Sequence, residues 1–482
     1  MESQNLETLK TGGYKGVGLT QFKLEPPTAR LTVFPPEILE LGDTLEQLDL
    51  SGTGLSSLPA DIGSALPNLK IAFFSGCNFT VFPRELASCP KLEMVAFRSN
   101  GMEEVPQDSL PPRLRWLILT DNRISALPAS IGRCSRLEKC MLAGNLLQEL
   151  PAEMAQCTKL ALLRLSANRF DKLPPWLFGL PELAFLSFGG NPCALSKASR
   201  PSFGLADVKW DDLEVQHVLG QGASGITSQA LWKQTPEYGE EVAIKLFRGA
   251  LTSDGTPADE MAACLAAGAH ESLIMVMGRI HGHPDEASGP GVNKFQGGIV
   301  MQLIPSYYKV LGQPPSLSSC TRDCYPEDAT HGAIPALSML TGIAGAAAHL
   351  HARGISHGDL YAHNILASTA DAHAVLGDFG AATIYGHQLC SNLASGIEKL
   401  EVLAFAHLLE DVLKLSAEED EARGRDLRRG FEQLHVRCAN PLVAARPTFA
   451  EILEELEDMM GWRGMMRIPD IERAERVEPD TI

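Results

Sequence analysis

From Leu45 to Cys193 the chain repeats itself every 22 to 24 residues. The template is L-x-x-L-x-L-x-x-N-x-L. It runs through Leu45-Leu48-Leu50-Thr53-Leu55, Leu69-Ala72-Phe74-Cys77-Phe79, Leu92-Val95-Phe97-Asn100-Met102 and Leu114-Leu117-Leu119-Asn122-Ile124. Three further copies follow, at Leu137-Cys140-Leu142-Asn145-Leu147, Leu160-Leu163-Leu165-Asn168-Phe170 and Leu183-Leu186-Phe188-Asn191. A unit this short cannot bury its apolar face alone. Seven in a row must stack into a solenoid whose core is continuous. Each unit offers one short strand and a looser return. The recurring Asn is suited to bonding unpaired backbone groups, so that the copies form a ladder. Thr53 and Cys77 stand in its place in the first two copies.

The template is similar to that of the leucine-rich repeat family, which implies a horseshoe. Leu58-Pro59, Phe82-Pro83, Val105-Pro106, Leu127-Pro128, Leu150-Pro151 and Leu173-Pro174 close the strand side of successive copies. Phe34-Pro35 suggests a partial repeat or cap within residues 1–44, and Asn191-Pro192 ends the array. Residues between the buried leucines point to the opposite, concave face. That face carries Ile71, Phe73, Met94, Trp116, Ile118, Met141, Leu162 and Phe185, interrupted by Asp49, Arg98, Lys139 and Arg164. A contiguous apolar patch with Trp and Arg marks a surface for a protein partner. The competing expectation is that the chain's own N-terminal segment or second domain covers it.

The 482 residues allow two or three domains, and 45% hydrophobic content allows substantial cores. A net charge of -18 argues against nucleic acid as a partner and gives no reason to expect an anionic membrane surface. The N-terminus has no basic stretch followed by an apolar core, and the most apolar segment, Ala336 to Leu350, reads as a buried helix. Eleven scattered cysteines suggest a reduced, cytoplasmic protein, with Cys320 and Cys324 as unpaired thiols.

After a junction at 194–210, the second half carries five ordered motifs. Leu219-Gly220-Gln221-Gly222-Ala223-Ser224-Gly225 is a glycine-rich loop after a β-type run. Val242-Ala243-Ile244-Lys245 follows in a second β-type run, where a dinucleotide fold would have a helix directly after the glycines. His357-Gly358-Asp359-Leu360-Tyr361-Ala362-His363-Asn364 precedes Gly377-Asp378-Phe379-Gly380, and Cys438 to Arg446-Pro447 comes last. An acid, an amide five residues on and a second acid are what phosphoryl transfer needs to orient a hydroxyl and hold magnesium on phosphates. Over about residues 211–462 the chain resembles the eukaryotic-type protein kinases.

The resemblance implies ATP and Mg²⁺ and assigns roles. Gly220, Gly222, Ser224 and Gly225 cover the phosphates, and Lys245 grips them. Glu260, on a helical stretch, holds Lys245. Met301 is the gatekeeper, Gln302 and Leu303 bond the adenine edge, and Leu219, Ala243 and Leu366 sandwich the base. Asp359 is the catalytic base that orients the acceptor hydroxyl, and Asn364 and Asp378 are the metal ligands.

Three departures bear on activity. Gly358 replaces the arginine of His-Arg-Asp. Tyr361 takes the place of the lysine of Ser/Thr kinases, and His363 that of the arginine of Tyr kinases, so no fixed cation faces the transferred phosphate unless His363 assists. Asp378 to Glu401 is about half the usual span, with no Ala-Pro-Glu run, which leaves Arg446 without its customary glutamate.

The expected architecture is α/β: a 1–44 cap, a 45–193 leucine-rich repeat horseshoe, a bilobal α+β protein-kinase-like domain over 211–462 and a 463–482 tail. The expected activity is transfer of the γ-phosphate of ATP to Ser or Thr on a protein captured by the repeats, or on the chain itself. The alternatives are a pseudokinase scaffold and a small-molecule phosphotransferase of kinase-like fold.

Overall fold

The computed structural model describes residues 3–25, 31–194, 205–235, 237–287, 295–385, 391–416 and 422–461. The tail, most of the junction and its Ser-rich stretch lie outside them.

The repeats form one sheet of eight parallel strands of three residues each, in sequence order. They are β1 (Gln21–Lys23), β2 (Gln47–Asp49), β3 (Ile71–Phe73), β4 (Met94–Ala96), β5 (Trp116–Ile118), β6 (Lys139–Met141), β7 (Leu162–Arg164) and β8 (Phe185–Ser187). β1 lies in the segment expected as cap or partial repeat and pairs with β2, Phe22 opposite Leu48. A short helix α1 (Leu6–Lys10) precedes it, capped by the Asn5 side chain. Five of the seven returns carry a short 3₁₀ helix and one the four-residue α2 (Ile62–Ala65), while the return from β4 to β5 has neither. Pro35, Pro83, Pro128, Pro151 and Pro174 stand immediately before five of these turns. Proline suits that place because its backbone angle is preset and an N–H there has no partner to lose.

The asparagine ladder is continuous. The Nδ2 of Asn100, Asn122, Asn145, Asn168 and Asn191 each donates to a carbonyl in the preceding copy, at 2.8–2.9 Å. Thr53 and Cys77 complete it by donating to the Leu50 carbonyl at 2.9 and 3.3 Å.

The second domain opens with a six-stranded sheet in the order β10-β11-β12-β14-β13-β9. Its strands are β9 (Ala206–Lys209), β10 (Leu213–Gly222), β11 (Gly225–Lys233), β12 (Gly239–Arg248), β13 (Val276–His281) and β14 (Phe295–Gln302). β9 starts within the expected junction and adds to the sheet edge parallel to β13. Helix α3 (Pro257–Ala267) packs on β12 and β14. Thr256 caps it by accepting from the Asp259 N–H, and Pro257 occupies its first turn.

The lower lobe is helical: α4 (Ala333–Ala352), α5 (Ser391–Leu415), α6 (Ala422–Cys438) and α7 (Phe449–Met460). Short strands β15 (Tyr308–Val310), β17 (Ile365–Ser368) and β18 (Ala374–Leu376) form one small sheet, and β16 (Ile355–Ser356) with β19 (Thr383–Ile384) another. α4 extends past the apolar segment read from the sequence to 20 residues. By length and composition it could cross a membrane, but 67% of its most apolar window is buried. Its neighbours are α5, α6, α7, β16 and β18.

The two domains share their cores. Tyr385, Ile397, Leu400 and Val443 belong to the cluster of repeat leucines, while Met141, Leu162, Ala184 and Phe185 of the repeats belong to the cluster of the lower lobe. This corrects the expected open groove. Met94, Met141, Leu162 and Phe185 are buried, and the half-buried Trp116 and Ile118 pack on the same lower-lobe cluster. Ile71 and Phe73, half-buried, lie outside that cluster. The second domain covers the part of the face from Trp116 to Phe185. Burying Met141, Leu162 and Phe185 stabilises the contact by roughly 1.5–3 kcal/mol each.

Candidate active site

The nucleotide half is built from the sheet of the upper lobe. Residues 220–225 turn from β10 into β11. A Cβ on Gly225 would stand 2.0 Å from the Leu246 carbonyl oxygen, so β11 can cross β12 there only as glycine. Gly220 and Gly222 have nothing within 4 Å of where a Cβ would be, and both line the cleft. Their bare backbone leaves that space to a ligand.

Lys245, on β12, forms an ion pair with Glu260 in the first turn of α3. Both are largely buried. Burial works against the Lys245 charge, but the Glu260 and Asp378 carboxylates outweigh it and its pKa is raised. The neighbouring acid Asp259 instead accepts from the hydroxyl of the helix cap, Thr256. The cleft measures about 370 Å³ and is lined by Gly220, Gly222, Ser224, Gly225, Lys245, Glu260, Met301 and Asp378 together. Ala243, Gln302, Leu303 and Leu366 lie outside that lining. Ala243 is paired across the sheet with Met301, and the Gln302 N–H already donates to the Met275 carbonyl at 2.9 Å. Leu366 sits in β17 between β15 and β18. Leu219 is 47% exposed rather than folded over a base.

Asp378 faces this cleft with φ +51°, a left-handed conformation that Asp tolerates better than most residues. Its Oδ1 accepts from the Gly380 N–H at 3.1 Å. Phe379 behind it is buried, with its ring 5.3 Å from that of His357. His357 in turn is bonded through Nε2 to the Gly377 carbonyl at 2.8 Å, which ties the two acidic motifs together.

The acceptor half is built around Asp359. Glu401, on α5, holds the loop from below. Its carboxylate accepts from the N–H groups of Gly358 at 2.5 Å and His357 at 3.2 Å, and bonds His351 at 2.7 Å. Burial would raise the Glu401 pKa, but these donors hold it below its ordinary value. Asn364 donates from Nδ2 to the Asp359 backbone carbonyl at 2.9 Å and to Oδ2 at 3.0 Å.

The other carboxylate oxygen is taken from outside the domain. Arg164, at the end of repeat strand β7 and 1% exposed, pairs through Nη2 with Asp359 Oδ1. Its Nη1 donates to the Gly358 carbonyl at 2.8 Å and its Nε to Asp254 Oδ1 at 2.7 Å. Asp254 belongs to the loop between β12 and α3, which lies against the repeats. Ser187 donates to the Asp254 carbonyl at 3.0 Å, and Arg98 to that of Leu251 at 3.3 Å. The same loop reaches the nucleotide cleft with Thr252 and Asp254.

Sequence reasoning missed Arg164 and Asp254. It read Arg164 only as an interruption of the concave face. One signal was present: Gly358 in place of arginine. Gly358 has φ +73°, and a Cβ there would stand 2.7 Å from the Ala381 carbonyl oxygen and 2.8 Å from that of Leu186, in β8. The missing side chain is the space the repeat backbone occupies.

Tyr361, the other departure, stacks on Phe185 with ring centroids 3.9 Å apart and planes 10° apart. His363, the expected stand-in cation, is bonded through Nδ1 to Asp323 at 2.6 Å. Burial opposes its charge, but Asp323 outweighs burial and raises its pKa. Arg446 is satisfied by carbonyls instead of a glutamate: Pro181 in the repeats at 2.6 Å, Asn440 at 2.9 Å and Lys399 at 3.0 Å.

Comparison with known proteins agrees with both halves of the chain. Residues 213–407 match the family model for protein tyrosine and serine/threonine kinases, and residues 112–170 match that for a leucine rich repeat. PH domain leucine-rich repeat-containing protein phosphatase 1 of Homo sapiens is 34% identical over 94 residues, which is 19% of this chain and 5% of that protein. Leucine-rich repeat-containing G-protein coupled receptor 5 of Rattus norvegicus is 32% identical over 119 residues, 23% of this chain and 13% of that one. The chain thus spans only a small part of the length of these curated relatives. It joins a leucine-rich repeat solenoid to a protein kinase domain, and the two are packed into one another across the catalytic loop.

Proposed function

We propose that the chain is an ATP-dependent protein kinase acting on serine or threonine, of a partner protein or of the chain itself. The observation that carries this reading is the buried Lys245–Glu260 pair facing Asp378 across one cleft whose floor and roof come from the expected motifs. The residues present fit a nucleotide triphosphate. A buried ammonium awaits phosphate oxygens, and glycines 220 and 222 leave the backbone open above it. Asn364 and Asp378 would hold Mg²⁺, which when bound neutralises charge on the phosphates. Asp359 orients the acceptor hydroxyl and takes its proton as the oxygen–phosphorus bond forms and the bond to ADP breaks.

Because the second domain covers most of the concave face, a captured protein is proposed to bind at its N-terminal end, around Ile71 and Phe73. A cytoplasmic location is proposed on the ten described cysteines, Cys320 and Cys324 among them, all free thiols.

A second reading is favoured by one observation: the repeats lie over the acceptor side of Asp359. On that reading the chain is a scaffold whose kinase domain binds nucleotide without transfer. Thermal shift with ATP, with and without Mg²⁺, followed by mass spectrometry of the incubated chain, separates the two. Transfer to Ser or Thr supports the kinase, and binding without turnover selects the scaffold.

A further inference from the structure

We infer that Arg164, supplied by the repeat array, is a positioning residue of the phosphotransfer site: it holds the Asp359 carboxylate in place and ties it to the loop that lines the nucleotide cleft. The inference rests on the kinase reading above.

Three observations carry it. The first is geometric. All three guanidinium nitrogens are used, on Asp359, Asp254 and the Gly358 carbonyl, so Arg164 spans the catalytic loop and the loop that lines the nucleotide cleft. Such a fork defines position as well as charge. Arg164 and Asn364 take one bond each on opposite oxygens of Asp359. A carboxylate has about four acceptor sites, so lone pairs remain for a substrate hydroxyl.

The second is electrostatic. Asp359 lies close to Asp254 and Asp378, so three carboxylates gather where phosphates must also enter. The other charged or titratable groups facing Asp359 are His363, already bonded to Asp323, Tyr361, stacked on Phe185, and Lys139 beside Arg164 on β6. Arg164 is bonded to two of these carboxylates, Asp359 and Asp254.

The third is mechanical. The contact that delivers Arg164 is part of both cores, with Phe185, Leu162 and Met141 on one side and Tyr385, Ile397, Leu400 and Val443 on the other. Separating them would expose apolar surface on the scale of a domain interior, so the arginine is a standing part of the site rather than a removable plug.

The test uses the full chain, ATP and Mg²⁺, following self-phosphorylation and ADP release at one fixed pH. Arg164→Gln removes two charge-assisted bonds and is expected to lower kcat about tenfold or more, with KM for ATP changed by less than about twofold. Arg164→Lys keeps a charge without the fork and is expected to recover part of the lost kcat. Arg98→Gln, at the same interface without contact to Asp359, is expected to keep kcat within about twofold and controls for loosening of the interface.

If Arg164→Gln does not fold, Arg164→Lys decides alone, by a kcat below that of the wild-type chain with KM for ATP unchanged. Unchanged or faster transfer by the folded Arg164 variants overturns the inference while leaving the kinase reading intact. A wild-type chain that binds ATP without turnover removes the reading and the inference with it.

Discussion

The nucleotide half and the acceptor half of the cleft are assembled from different ranges of the chain. Lys245, Glu260 and the glycine loop lie within 41 positions of one another, on three adjacent strands and the helix packed against them. Asp359 instead depends on Arg164, 195 positions away, and on a repeat backbone that fits only because residue 358 has no side chain. The first half is a self-contained device, and the second is an interface. At that interface the repeats place Arg164 on Asp359 and the Leu186 carbonyl against Gly358.

That contrast can be broken at several points. The largest expected effects are on chemistry. Lys245→Met and Asp359→Asn should each lower phosphate transfer by about a hundredfold or more, measured with labelled ATP, although one residue belongs to each half. Next is Phe185→Ala, which removes the ring stacked on Tyr361 and opens a cavity where the two cores meet. It should cost about 3–5 kcal/mol in denaturant unfolding and lower the melting point of the whole chain, not of the repeats alone.

Gly358→Ala should cost about 1–3 kcal/mol, because its Cβ meets two carbonyl oxygens and its φ is left-handed. Gly222→Ala sharpens the comparison with the smallest effect. With open space around it, stability should change by less than about 0.5 kcal/mol, while KM for ATP rises. Equal stability losses at Gly358 and Gly222 would mean that the acceptor half is no more an interface than the nucleotide half.

The legibility of the sequence follows the same division. The repeat register could be read because each buried leucine is satisfied by a neighbour about 23 positions away. The ladder through Thr53 and Cys77 could be read because both side chains still carry a donor. Lys245, Glu260 and Asp378 could be placed because their motifs are local and ordered. β1 could not, since Gln21-Phe22-Lys23 offers one apolar residue, and its strand character comes from pairing with β2. Nor could β9, which is a sheet edge added from the junction.

Arg164 was invisible for a more general reason. On an isolated solenoid an arginine between leucines is a solvated interruption. Only the docked partner turns it into a buried cation with three bonded nitrogens. The apolar concave face was read from alternation and was indeed built to be covered, but alternation does not name the cover. Gly358 and the short stretch from Asp378 to Glu401 were visible as losses. They are better understood as the complement of the repeats, because Leu186 and Phe188 stand beside Gly358 and Thr383.

The central claim of the proposed kinase reading is that phosphate transfer takes place with the repeats docked. A Cβ at position 255 would lie 3.3 Å from the Cβ of Ser166, slightly closer than in a typical disulfide, which a small backbone adjustment accommodates. The doubly substituted chain, Ser166→Cys with Gly255→Cys, can therefore be locked by oxidation across the two domains and released by reduction. The account predicts phosphate transfer by the locked form within about twofold of the reduced form. A locked form without transfer beside a reduced form that is fully active would contradict it and make the repeats a lid that has to open.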